Sequence, residues 1–189
     1  MTKINYKKLP FNELIYLTQN SDIKATAEFL RRIQKNIYTF FCHLCPPNNS
    51  VSDLTQETLI KIVENIKSLK NIENFKKWSN RIALNTFYDS LRKEQRRNKH
   101  HEIDETDLTI IEDQKSKPIE NVHSKEICNK IKTCIINLPL NYRLAIVLRE
   151  LEGLSYEEIA KLTNTNLGTV KSRISRAREK LQTELAEYI

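Results

Sequence analysis

Glycine is scarce in this chain, with two in 189 residues. That excludes an all-β architecture built on tight hairpins, whose short turns call for residues at positive φ. Strand-like alternation is missing too, and so are long apolar runs. The amino terminus, MTKINYKKLPFNELIYL, has no uninterrupted apolar core of the kind a secretion signal carries. Nothing approaches the length of a membrane span, so a soluble, cytoplasmic protein without membrane insertion is expected.

Cysteine is limited to Cys42, Cys45, Cys128 and Cys134. Without a secretion signal these read as reduced thiols rather than a disulfide framework. Cys42-His43-Leu44-Cys45 has the CxxC spacing of half a zinc site or a redox motif. A second ligand pair is missing, because Cys128 and Cys134 are six apart and neither lies beside a histidine. No βαβ pattern frames the motif as thioredoxin-like. Two readings stay open: small thiols packing at a helix end, which is favoured, or a zinc- or thiol-dependent sensor or enzyme using Cys42 and Cys45. No metal site, cofactor or catalytic residue is expected.

What the chain does have is cationic charge and helical period. Lys and Arg number 31 against 24 Asp and Glu, a net charge of +7 that favours an anionic partner. Phe29, Ile33, Ile37, Phe40, Phe41 and Leu44 recur at spacings of three and four, which predicts an amphipathic helix over 22–44. Pro46-Pro47-Asn48-Asn49 stops it. Ser52 or Asp53 is then expected to cap a helix bearing Leu54, Thr58, Ile62, Ile66 and Leu69 on one side. SLKNIEN reads as a loop, and a third long helix is predicted over 75–97.

The composition changes at residue 99. Between Glu102 and Glu126 eight acids face three lysines, a net charge of −5, with sparse apolar residues and an interrupting Pro118. Residues 99–125 therefore read as a flexible acidic linker. Helical period returns in Ile127, Ile131, Ile135 and Leu138. Pro139 suits the first turn of a further helix with Leu144, Val147, Leu148 and Leu151 inward. The expected fold is all-α: a helical domain over 1–98, the linker, and a second helical domain over 126–189.

The second domain reads as a helix-turn-helix. Gly153 ends one helix where positive φ is favoured, and Ser155 stands three residues before Glu158 at capping-box spacing. Ile159 and Leu162 point inward on the short helix that follows, with Ala160 small enough for close packing. Asn164 in the turn tolerates the left-handed conformation. Asn166 can cap a second helix whose stripe is Val170, Ile174, Ala177 and Leu181. Opposite lie Lys171, Ser172, Ser175 and Arg176, flanked by Arg173 and Arg178. Ser and Arg can bond base edges, and Lys and Arg neutralise phosphates. Glu179 is the single acid between Gly168 and Leu181; a merely solvated face mixes charge signs.

The helix over 75–97 carries two faces. Ala83, Phe87 and Leu91 suit a core. Trp78, Arg81, Asn85, Arg92 and Arg96 lie on the other side, and residues 76–99 hold eight bases against two acids, a net of +6. Amide, guanidinium and indole together can bond phosphates and stack on opened bases. A core role for the lone Trp78 is an equal alternative. The preceding helix, DLTQETLIKIVENI, places Asp53, Gln56, Glu57 and Glu64 beside its stripe, a surface that DNA would repel and a basic protein would accept.

These stretches, taken in order, resemble the extracytoplasmic-function (ECF) sigma factors of the sigma-70 family, the promoter-recognition subunits of bacterial RNA polymerase. DLTQETLIKI looks like that family's polymerase-binding helix, FKKWSNRIALNTFYDSLRKEQRR like its −10 helix, and LPLNYRLAIVLRELEGLSYEEIAKLTNTNLGTVKSRISRAREKL like its −35 domain. The resemblance implies that Asp53, Leu54, Gln56 and Glu57 dock on the clamp of the polymerase's largest subunit. It implies that Asn71, Asn74, Trp78, Arg81, Asn85, Arg92, Arg96 and Arg97 hold the opened −10 region. It assigns Arg149, Lys171, Ser172, Arg173, Ser175 and Arg176 to the −35 duplex. Core RNA polymerase (clamp, and flap of the second-largest subunit), promoter DNA and an anti-sigma factor are the partners so implied, and no chemistry is done by the chain itself. The turn departs from the family pattern at Thr165, where an apolar residue is usual, and at Asn164, where glycine is frequent. A stand-alone helix-turn-helix regulator is the rival reading, and it leaves the basic Trp-bearing helix and DLTQET without a purpose.

Overall fold

The computed structural model describes residues 4–46, 51–100 and 122–186, with the side chains of 97–100 and 122–126 outside the described set. The described residues form helices and turns, with no strand among them. They group into two units, 4–41 with 51–100 and 42–46 with 122–186. The acidic linker read over 99–125 falls almost wholly outside the described residues.

The first unit holds α1 (Phe11–Gln19), α2 (Ile23–Leu44) as far as Phe41, α3 (Val51–Asn65) and α4 (Phe75–His100). The predicted stripe of α2 is buried throughout, as is that of α3 with its continuation to Ile66 and Leu69. Burying such stripes against one another is what drives the helices together. On α4, Ala83 and Phe87 are buried and Leu91 is half-buried. α3 packs on α4. The helix expected to be capped by Ser52 or Asp53 begins earlier, at Val51, so both residues lie inside its first turn. There Asp53 complements the positive helix end instead of capping it.

Sequence period did not mark α1, a nine-residue helix that buries Leu14, Ile15 and Thr18. Its N-terminal approach is tied down by Arg32, which donates to the carbonyls of Leu9 at 2.8 Å, Lys7 at 2.9 Å and Tyr6 at 3.2 Å. Glu28, itself buried, holds Arg32 at 2.8 Å and Arg31 at 2.7 Å. Those two guanidiniums keep the Glu28 carboxyl at about 2, well below its ordinary 4.5.

The second unit contains α5 (Val122–Asn137), α6 (Leu140–Ile146), α7 (Tyr156–Thr163) and α8 (Leu167–Leu185). α5 starts at Val122, ahead of the apolar period beginning at Ile127. Pro139 stands one residue before α6, as its N-cap. After α6 the backbone widens into a π-turn over Val147–Leu151. This overturns one expectation: Leu144, Val147 and Leu148 are buried, but Leu151 is 45% exposed. The wider turn rotates Leu151 outward, and Leu154 fills the interior beyond Gly153, whose φ is +72°. α6, α7 and α5 all pack on α8.

Candidate nucleic-acid interface

Local chemistry fixes the start of both helices of the C-terminal reader. The Ser155 hydroxyl accepts from the Glu158 amide at 3.2 Å while the Glu158 carboxylate accepts from the Ser155 amide at 2.8 Å, a complete capping box. α7 ends at Asn164, which takes the left-handed conformation with φ 51° and ψ 48°. Thr165 is half-buried in that turn, and its hydroxyl lies 2.9 Å from that of Thr163. This pairing satisfies a polar group at a place where an apolar one is usual. The Asn166 side chain then accepts from the Thr169 amide at 2.7 Å and starts α8.

Val170, Ile174 and Ala177 are buried and Leu181 half-buried, so the predicted stripe faces α6 and α7. Lys171, Ser172, Ser175 and Arg176 are exposed on the other side, with Arg173 half-buried at its margin. Ser172 donates to the Thr169 carbonyl at 3.0 Å, which leaves its oxygen free to accept. Arg176 donates to the Tyr142 hydroxyl at 3.3 Å. Arg178, on the flank, is bonded to Glu150 at 2.5 Å. Arg149 differs from the rest: half-buried, it donates to the Leu154 carbonyl at 3.0 Å, and its guanidinium lies 5.0 Å from the Tyr156 ring centre. It braces the entry to α7.

In the first unit, Asn71 and Asn74 are exposed on the turn before α4, and the Asn71 side chain accepts from the Glu73 amide at 2.9 Å. Trp78 is half-buried, its ring 6.1 Å from Phe75. Phe75 in turn packs edge-on to Phe11 and Phe29 at 5.3 and 5.5 Å. Trp78 thus closes the rim of an aromatic cluster and is neither fully buried nor fully exposed. Arg81, Asn85, Arg92 and Arg96 are exposed on α4; the side chain of Arg97 lies outside the described residues. Arg92 pairs with Asp89 at 3.1 Å.

On α3, Asp53 and Gln56 are exposed, and Glu57 is half-buried against Lys61 at 2.8 Å. Lys61 also reaches α4, 3.7 Å from Asp89 and 3.3 Å from the Thr86 hydroxyl, a tie that the sequence reading missed. Its i, i+4 spacing from Glu57 signalled half of it. Leu54, grouped with Asp53, Gln56 and Glu57 as a partner contact, is only 6% exposed. It belongs to the core stripe, and little of its side chain is left at the surface.

None of the four cysteines is in a disulfide; Cys45 and Cys134 are buried, Cys42 is half-buried and Cys128 is exposed. Burial and the Glu184 carboxylate push the Cys134 thiol upward. Among the described residues no group of three or more His, Cys, Asp or Glu side chains could hold a metal ion.

Two family matches fall along the chain. The Sigma-70 region 2 family matches residues 29–97, and Sigma-70, region 4 matches 128–181. The ECF RNA polymerase sigma-E factor of Haemophilus influenzae is 33% identical over 185 residues, covering 95% of this chain and 97% of that protein. The chain belongs to the ECF sigma factors. The sigma-E factor of Escherichia coli is likewise 33% identical over 181 residues, 93% of this chain and 94% of its own. The SigE factor of Mycolicibacterium smegmatis is 32% identical over 163 residues, and the match spans 62% of that longer protein. Among solved structures, the sigma factor RpoE of Bartonella quintana, crystallised with the anti-sigma factor NepR, has a TM-score of 0.67 at 29% identity, covering 87% of this chain and 98% of that one. As a sigma factor the chain directs RNA polymerase to promoters, and its family is not one of enzymes. No helix among the described residues is long and apolar enough to cross a membrane.

Proposed function

We propose that this sigma factor divides promoter recognition between its two units at the residues described above. The observation that carries the reading is the pairing of two exposed cationic helices, one per unit, with a separate acidic face on α3. Lys171, Ser172, Ser175 and Arg176 on α8 contact the −35 duplex, with Arg173 and Arg149 supporting from the margin. In a helix-turn-helix the second helix enters the major groove, and its outward side chains reach base edges and phosphates. Asn71, Asn74, Trp78, Arg81, Asn85, Arg92, Arg96 and Arg97 hold the opened −10 strand through stacking and phosphate contacts.

Asp53, Gln56 and Glu57 dock on the polymerase clamp. The flap falls on the apolar groove of about 490 Å³ in the C-terminal unit, where Ile131, Ile135, Val147, Leu151 and Leu181 meet. Glu150, Arg178 and Gln182 add polar groups to its lining. An anti-sigma factor is a further partner, as for the Bartonella relative, which was solved in such a complex. The chain works in the cytoplasm and does no bond chemistry; phosphodiester synthesis belongs to the polymerase.

Run-off transcription with core polymerase on genomic fragments tests this reading. Start sites should appear that core polymerase alone does not use, while the pure chain binds the same duplexes weakly. Tight, sequence-specific duplex binding without polymerase would instead mark a stand-alone helix-turn-helix regulator. Loss of transcription in Cys42→Ser or Cys45→Ser, with stoichiometric zinc in the purified protein, would favour the thiol reading.

A further inference from the structure

Helix α1 touches both ends of the loop that carries Asn71 and Asn74. Its last residue, Gln19, donates from one amide nitrogen to two carbonyls, Ile66 at 3.0 Å and Leu69 at 2.9 Å. Both partners are acceptors, so the nitrogen is the group between them, and both of its N–H bonds are used there. The Ile66 carbonyl also accepts from the Leu69 amide at 3.2 Å, closing the 3-10 turn Ile66–Ser68 that follows α3. Gln19 therefore ties that turn to α1 just before the loop begins. The first residue of α1, Phe11, packs edge-on to Phe75 at 5.3 Å, just after the loop ends.

Between those two points the loop is shaped by its own residues. The Asn71 side chain accepts from the Glu73 amide at 2.9 Å, and the Asn71 carbonyl accepts from the Asn74 amide at 3.1 Å. Lys70, Asn71, Glu73 and Asn74 are exposed, with Ile72 half-buried among them. Local bonds of this kind fix the shape of a turn, while its orientation on the unit is set where its ends are anchored. We infer that α1 braces the −10 loop and that Gln19 is a positioning residue for −10 recognition. It holds Leu69 so that Asn71, two residues on, meets an unstacked base at a fixed angle. The inference rests on the −10 role proposed for Asn71 and Asn74.

The test is transcription by core RNA polymerase with the full-length chain, from a start site found by run-off transcription. Templates carry single-base changes in either the −10 or the −35 element. Gln19→Met keeps the length of the side chain and removes both donors. It should lose about tenfold of the preference for the native −10 bases and keep the preference at −35. Gln19→Asn keeps the amide but shortens its reach. It should show the same split with a smaller loss, and it serves if the methionine variant is too unstable to assay. Adding Gln19→Met to Asn71→Ala should not deepen the −10 loss of Asn71→Ala alone, since Gln19 acts through that loop. Native −10 preference in both Gln19 variants overturns the brace while the −10 role of the loop stands. Equal losses at −10 and −35 also overturn it, because they mark a helix cap that serves stability alone. If Asn71→Ala and Asn74→Ala leave −10 preference intact, the −10 role falls and the brace with it.

Discussion

Arg176 on α8 donates to the Tyr142 hydroxyl at 3.3 Å, a bond that bridges 34 residues of chain and holds the guanidinium on the exposed side of the reader helix. A tethered guanidinium loses less rotamer freedom when it meets a base edge. Arg176→Ala should therefore reduce discrimination between the preferred −35 element and a single-base variant by about 1–3 kcal/mol. Competition between two templates in one transcription reaction measures this directly. Tyr142→Phe, which frees the guanidinium without removing it, should give a smaller loss of the same sign. Unchanged template preference and salt dependence in Arg176→Ala would show that the reading face lies elsewhere on α8.

Asp53 and Gln56 are exposed on α3, so changes there act on a partner rather than on the fold. Asp53→Lys sets a like charge against a basic clamp surface. The expected result is weaker assembly with core polymerase, on the order of tenfold or more, and steepest at low salt. Helix content and melting temperature should match wild type. Equal affinity of the two proteins for core polymerase at low salt would remove the acidic face from the interface.

Much of the reader was legible because its determinants are local. Ser155 and Glu158 satisfy each other's backbone within one turn, Asn166 caps its own helix, and Asn164 needs nothing distant to adopt positive φ. The exposure of Leu151 was not legible, since a π-turn shifts the phase of a stripe without changing its letters. Helix α1 went unmarked for a related reason. It buries three side chains, and its anchoring depends on Arg32, more than 20 residues away at Leu9. Leu54 and Ile60 are equally apolar in the sequence of α3. Only packing against α4 and the rest of the core decides which of them is hidden. The tie from Lys61 to Asp89 is of the same tertiary kind.

Thr58 points into the first unit with no exposure, and its hydroxyl has no hydrogen-bond partner among the described residues. A buried hydroxyl without a partner carries its desolvation cost uncompensated. Thr58→Val keeps the branched shape and removes the polar atom. It should raise unfolding stability by about 1 kcal/mol, seen as a higher denaturant midpoint with an unchanged slope. Polymerase binding should not change, because position 58 is turned away from the Asp53 face. A lower midpoint in Thr58→Val would mean that the hydroxyl is bonded after all.

Glu28 couples pH to the stability of the amino-terminal segment. Its carboxyl titrates at about 2 in the folded protein against an ordinary 4.5, held down first by its hydrogen bonds from Arg31 and Arg32. A depressed acid contributes stability that is fully present above its unfolded value and lost as pH falls toward its folded one. Wild type should therefore exceed Glu28→Gln in thermal midpoint by a constant margin from neutrality down to about pH 5. The margin should then shrink between 4.5 and about 2. Because Glu28 also orients Arg32 toward the Tyr6, Lys7 and Leu9 carbonyls, the substitution should speed hydrogen exchange at the Leu9 amide, which bonds Tyr6 at 3.3 Å. A margin that stays the same across the acid range would mean that the carboxylate's charge does not contribute to the clamp.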